Sequence, residues 1–177
     1  MTQLEEIAED TPEVVPYHLR NKGALEDQTL LHLAVFGQKL DLAKKLLSLG
    51  ANPGARDSDG LTPFHYALLL EKPMSEKAPF LELLVNHPTS RKNRSDWLEA
   101  PMHFAVQSGS LPTVRFLTER GFPHDSYSVD GLSPLHEALF LGNLEVAKLL
   151  LSEGAAKDLF AAAGLGDLKT VQRFLSL

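Results

Sequence analysis

Apolar residues return along this chain in blocks of two kinds. A short block, Leu30-Leu31 followed by Leu33-Ala34-Val35-Phe36, is succeeded after Gly37-Gln38 by Leu40, Leu42, Ala43, Leu46 and Leu47, which fall at the three- and four-residue spacing of one helix face. A polar stretch with glycines at Gly50, Gly54 and Gly60 then precedes the next short block. The pattern predicts a short helix, a turn, a second amphipathic helix and a projecting loop. The same order returns further along. Thr29-Leu30-Leu31-His32-Leu33-Ala34 recurs as Thr62-Pro63-Phe64-His65-Tyr66-Ala67, as Ala100-Pro101-Met102-His103-Phe104-Ala105 and as Ser133-Pro134-Leu135-His136-Glu137-Ala138. The four histidines are separated by 33, 38 and 33 residues.

The local chemistry suits these elements. Thr29, Thr62 and Ser133 stand at helix starts, where a hydroxyl can accept from an otherwise unpaired N–H of the first turn. Pro63, Pro101 and Pro134 follow at the first helical position, where the missing donor loses nothing. Ala100 breaks the capping pattern in the third copy, a loss of about 1 kcal/mol unless another group substitutes. The first helices end near Gln38, Glu71, Gly109 and Gly142, and Gly50, Gly121 and Gly154 close the second helices. Asp59-Gly60 and Asp130-Gly131 are turn signals leading into the next unit. With this period, this motif and a recurring Gly-Ala terminator at Gly50-Ala51 and Gly154-Ala155, the chain resembles the ankyrin repeat family, whose unit of about 33 residues carries T-P-L-H-x-A. The resemblance implies an all-α repeat solenoid, an ankyrin-like stack of helix-turn-helix units with projecting β-hairpin loops.

Aligned on this period, residues 1–26 form a degenerate N-terminal capping repeat, 27–59 a repeat, 60–97 a repeat with an insertion, 98–130 a repeat, 131–157 a repeat with a shortened hairpin, and 158–177 a terminal helix pair. The longer interval of the second unit places most of its excess in Lys72-Pro73-Met74-Ser75-Glu76-Lys77, between the two helices, with Pro79 near the start of a displaced second helix. Phe160 follows His136 by only 24 residues, so the last pair joins through a tight turn in place of a hairpin.

Composition narrows the functions. Without cysteine there is no disulfide framework, thiolate metal site or thiol nucleophile. Seventeen basic against 23 acidic side chains give a net charge of −6, which opposes binding to nucleic acid or anionic membrane, and no apolar window reaches membrane-spanning length. These features point to a cytoplasmic protein, or one in a host cytosol if it is a secreted effector. His32, His65, His103 and His136 recur one unit apart, about 10 Å in a helical stack, too far to share one metal ion. The family resemblance gives them a structural role, bonding within and between units. His18, His87 and His124 are scattered. His136-Glu137 fails as a zinc-protease motif because Phe140 occupies the second histidine position. Gly164-Leu165-Gly166 lacks the remaining features of a phosphate loop, and adjacent residues such as His124-Asp125-Ser126 cannot form a supported triad. No catalytic, cofactor-binding or metal residue is assigned, and the chain is read as a non-enzyme.

The resemblance also implies a concave face, made by the first helices and hairpins, that takes a protein or peptide partner. Four and five residues beyond each histidine stand Phe36 and Gly37, Leu69 and Leu70, Gln107 and Ser108, and Phe140 and Leu141, with Gly164 and Leu165 in the last pair. Exposed, Phe36, Leu69, Leu70, Phe140 and Leu141 would make two apolar patches flanking a polar third unit, each side chain contributing about 1.5–3 kcal/mol on burial. A second candidate is the hairpin with Arg91, Lys92, Arg94 and Trp97, extended by Tyr127, which would clamp an acidic peptide. The leading expectation is a non-catalytic protein-interaction module. The alternative is a targeting or regulatory segment of a larger enzyme such as a bacterial effector, motivated by a terminal pair that ends at Phe174-Leu175-Ser176-Leu177 without a polar cap. The oligomeric state stays open, because the apolar patches could pair two copies.

Overall fold

The computed structural model describes residues 28–88, 101–128 and 130–176. The N-terminal cap of residues 1–26 and the basic hairpin around residues 91–97 lie outside the described residues. The chain divides into two compact units, Met1–Asn93 and Arg94–Leu177. The described part of the first contains α1 (Leu30–Phe36), α2 (Leu40–Ser48), α3 (Pro63–Leu69) and α4 (Met74–Val85). That of the second contains α5 (Pro101–Gln107), α6 (Leu111–Glu119), α7 (Pro134–Phe140), α8 (Leu144–Ser152), α9 (Leu159–Gly164) and α10 (Leu168–Leu175).

In the first unit α1 packs on α2 and α3, and α4 packs on α2 and α3; in the second, first helices α5, α7 and α9 form one row, and second helices α6 and α8 pack side by side. The repeating alanine explains the close stacking. Ala34, Ala67, Ala105, Ala138 and Ala162 are all buried, and a side chain that small lets neighbouring helices approach closely. Around it, Leu31, Val35, Phe64, Leu68, Leu81 and Leu84 fill the first unit, and Met102, Val106, Val114, Leu117, Leu135 and Leu150 the second. Burial of this apolar surface, at about 25 cal/mol per Å², is the main force holding each layer to the next.

The projecting loops are tight turns, and no strand occurs among the described residues. Asp57 N–H donates to Leu61 O at 2.9 Å and Gly60 N–H to Asp57 O at 3.0 Å. Asp57 Oδ1 accepts from the N–H of Asp59 and of Leu61, at 3.0 and 2.8 Å, so a buried carboxylate organises the whole loop. Ser128 takes the equivalent place in the second unit, with Ser128 N–H donating to Leu132 O at 2.9 Å and Ser128 Oγ accepting from Leu132 N–H at 3.2 Å.

The insertion differs from its sequence reading. Residues 74–77 are helical, so α4 begins at Met74 and runs twelve residues, with Pro79 inside it. Proline there denies the Ser75 carbonyl its intrahelical partner, but Ser75 and Pro79 are both exposed and water can take that place. The added turn also buries a lysine. Lys77 is 3% exposed, and its Nζ donates to Leu68 O, at the end of α3, at 3.4 Å. Burial pushes the Lys77 pKa below the usual lysine value.

Candidate functional site

The recurring histidines set the backbone of each first helix. His32 Nδ1 accepts from Thr29 N–H at 3.1 Å, which makes Nε2 the protonated nitrogen; Nε2 then donates to Leu61 O, in the loop of the next repeat, at 3.0 Å. His65 Nδ1 accepts in the same way from Thr62 N–H at 3.1 Å. Burial lowers the His32 pKa and, with help from the nearby positive charge of Arg56, lowers that of His65 to about 4. These rings are therefore neutral structural hydrogen-bonding groups near neutral pH. Among the described residues no group of three or more His, Asp or Glu is placed to hold a metal ion.

The third repeat departs from this scheme where its sequence does. At the position of Thr29 and Thr62 stands Ala100, which has no hydroxyl. His103 Nδ1 turns to Glu137 Oε2 of α7, 2.8 Å away, and its Nε2 lies 3.3 Å from Ser126 O. One turn further along α5, Gln107 Nε2 donates to the other Glu137 oxygen at 2.7 Å. In the fourth repeat His136 Nε2 meets Asp158 Oδ2 at 2.8 Å, while Asp158 Oδ1 caps α9 by accepting from Ala161 N–H at 2.8 Å. His32, His103 and His136 thus link successive repeats, and His65 bonds within its own, in agreement with the role the sequence resemblance implied.

At the outer ends of the first helices the two units differ. In the first, Leu69 is 51% exposed, but Leu70 is only 8% exposed and is no surface residue. The reason is local: Leu70 has left the helix, with φ −58° and ψ 119°, and this extended step turns it into the core while Leu69 stays outside. Phe36 is half-buried, edge-on to Tyr66 at 6.2 Å between ring centres, and Gly37 is half-buried beside it. Tyr66 is itself held, donating to Asp57 Oδ2 at 2.8 Å and accepting from Gln28 Nε2 at 2.6 Å. The apolar patch of this unit is therefore smaller than its sequence suggests.

In the second unit it is larger. Phe140 and Leu141 are 78% and 52% exposed, and Leu144, which opens α8, adds a third apolar side chain at 46%. Leu144 escaped sequence reasoning because it sits in register with Leu40 and Leu111, both half-buried, and reads as core filling. Beside the patch, Gln107 is exposed yet committed to Glu137, and Ser108 Oγ donates to Ala105 O at 2.8 Å. Gly164 is exposed, Leu165 half-buried, and Tyr127 exposed on its loop. Arg91, Lys92, Arg94 and Trp97 lie outside the described residues.

Two family models, both described as ankyrin repeats, match residues 73–161, half of the chain, and residues 14–67. The chain belongs to the ankyrin repeat family. Among solved structures it resembles the ankyrin repeat domain of Bcl-3, a member of the IkappaB family, with a TM-score of 0.64 and 30% identity over 85% of this chain and 70% of that one. Curated ankyrin relatives include human Rabankyrin-5, 37% identical over 41% of this chain and 6% of its own length. The Drosophila melanogaster tyrosine-protein kinase Shark is 32% identical over 52% of this chain and 9% of its own, and the mouse B-cell lymphoma 3 protein homolog 32% over 58% and 22%. The chain spans less than a quarter of each of these relatives. Ankyrin repeats are protein-interaction modules.

Proposed function

We propose that this ankyrin chain is a non-catalytic interaction module that holds a protein or peptide partner on the exposed ends of its first helices. The observation that carries the reading is the contiguous run of Phe140, Leu141 and Leu144, each between 46% and 78% exposed at one helix-turn-helix junction. Exposed large apolar side chains grouped in this way are what an interface core uses, and the adjoining Gln107 and Glu137 supply a polar rim. Leu69 and the edge of Phe36 are the contacts proposed for the first unit. Arg91, Lys92, Arg94 and Trp97 are proposed to meet an acidic segment of the partner, Tyr127 is proposed as a further contact of the second unit, and the partner is proposed to be cytoplasmic; no helix among the described residues is long and apolar enough to cross a membrane.

The test pairs capture with stability. Phe140→Ser and Leu141→Ser are expected to abolish retention of a partner held by the wild-type chain while leaving thermal melting nearly unchanged, because both side chains face water. Retention that survives both substitutions, or melting that collapses with them, overturns the reading. A second reading, a targeting segment within a larger enzyme, draws support from the likeness to a tyrosine kinase of which the chain spans 9%. An open reading frame running past Leu177 into a catalytic domain would establish it, and a stop codon there would remove it.

A further inference from the structure

The charged side chains of the second unit are sorted between its two sides. Among the described residues, the first helices and the loops that lead into them carry Asp125, Asp130, Glu137 and Asp158, and the one lysine there, Lys157, is already paired with Asp167. The second helices carry the opposite excess, Arg115, Lys148, Lys169 and Arg173 against Glu119 and Glu145. The apolar run of Phe140, Leu141 and Leu144 adjoins the acidic side. Glu137 lies one turn before Phe140 on α7, and Asp130 stands four residues before that helix begins. Seven residues of helix span about 10 Å, so a short segment laid along α7 reaches from the loop acids to the apolar run. The opening at Phe140 is made by a layer that is in place. Phe36 is covered at its edge by Tyr66, the residue after the motif histidine of the next repeat, whereas α9 has Ala161 at that register, followed by Ala162, Ala163 and Gly164. First helices α5, α7 and α9 pack in one row, so a layer beyond α9 would cover α9 and not the end of α7.

We infer that the partner segment held on this face is basic as well as apolar, with two or three leucine- or phenylalanine-like anchors on Phe140, Leu141 and Leu144 and flanking lysines or arginines opposite Asp125, Asp130, Glu137 and Asp158. The inference rests on the partner reading above and adds to it the charge of the partner. Charge complementarity selects the occupant. An acidic segment on the same face would meet four carboxylates whose only neighbouring lysine is already engaged, and like charges brought together in an interface reject a partner. Glu137 is a preset target, because His103 Nδ1 and Gln107 Nε2 hold its two oxygens in place, so less ordering is lost when a cation arrives. Asp125 and Asp130 are exposed on the loop and act at longer range, steering the basic segment onto the face. This segment is separate from the acidic one proposed to meet Arg91, Lys92, Arg94 and Trp97.

Selection of random phage-displayed peptides on the immobilised 177-residue chain tests the inference. The expected sequences combine apolar anchors with an excess of Lys and Arg, and a synthetic copy of the strongest binds the Leu141→Ser chain at least about tenfold more weakly. Asp125→Asn combined with Asp130→Asn removes two exposed charges and keeps residues that turns accept. The pair is expected to weaken the same peptide about three- to tenfold at about 0.1 M salt, to lose that effect at about 1 M, and to leave the melting curve unchanged. Peptides that need Leu141 but show no basic excess, or basic peptides indifferent to the paired aspartate substitution, overturn the inference while the partner reading stands. A selection that yields nothing, or only peptides indifferent to Leu141→Ser, overturns both.

Discussion

His103 Nδ1 lies 2.8 Å from Glu137 Oε2, tying α5 to α7. In His32 and His65 that same nitrogen accepts from a threonine N–H at its own helix start. The switch coincides with Ala100, which removes the hydroxyl, and with Glu137, which brings a carboxylate within reach of a ring that is 5% exposed.

Removal of that carboxylate leaves a buried donor without its acceptor. Glu137→Ala is expected to destabilise the second unit by about 1–3 kcal/mol in urea denaturation, and Glu137→Gln, which keeps one acceptor, by clearly less. Gln107 also loses its 2.7 Å bond in the alanine variant, so Gln107→Ala added to it should cost little more. Equal losses for alanine and glutamine would mean that hydrogen bonding to Glu137 is not what holds the two helices.

Gln38 occupies left-handed backbone, φ 55°, at the repeat position where Gly109, Gly142 and Gly166 take φ 64°, 71° and 69°. A side chain there crowds the following carbonyl, whereas glycine has none to crowd and gives back part of the gain as unfolded-state entropy. Gln38→Gly is expected to raise stability by about 0.5–1 kcal/mol. A drop in the denaturation midpoint would show that the Gln38 side chain contributes more than its backbone strain takes away.

Lys77 buries an ammonium whose pKa burial has lowered. Lys77→Met keeps the stem's volume and removes the charge, and is expected to stabilise the fold near neutral pH by about 1 kcal/mol. The sign follows from linkage. Below its folded pKa the wild-type lysine bears the full desolvation penalty, and the penalty fades as pH climbs through that value toward 10.5. The advantage of the variant should shrink over that alkaline window, and a constant difference would rule out the charge as its cause.

His65 titrates in the fold at about 4 against 6.5 when unfolded, chiefly because it is buried, with Arg56 adding repulsion. The unfolded chain therefore binds the extra proton between those values. The stability His65 contributes is complete above pH 6.5 and is lost as pH falls toward 4, by at most about 3 kcal/mol. His32 acts in the same direction. His65→Gln should flatten the acid limb of a melting-temperature profile, and an unchanged limb would assign acid sensitivity to other groups.

Much of this molecule was legible from one period. The Thr-Pro start, the histidine six residues before a left-handed turn and the apolar spacing of the second helices are short-range signals, so they specified the helix pairs and their repetition. The insertion at residues 72–77 was harder, because Met74, Ser75, Glu76 and Lys77 can form loop or helix, and what settles it is the room Lys77 finds under α3. The Glu137 network was visible only in part: Ala100 marked a break in the motif, but no local pattern says that His103 and Gln107 meet a carboxylate one repeat away.

What the sequence determined by itself was the unit, its repetition and the kind of surface a stack presents, since each depends on residues near one another in the chain. Tertiary structure alone decided which of two neighbouring leucines faces water. Leu69 and Leu70 look alike in sequence, yet one is 51% and the other 8% exposed, because the chain leaves its helix between them. The same holds for Phe174, which is exposed where Leu46, Leu117 and Leu150 in register with it are buried. Exposure depends on what packs against a side chain, and that is a property of the neighbouring layer and not of the repeat that carries it.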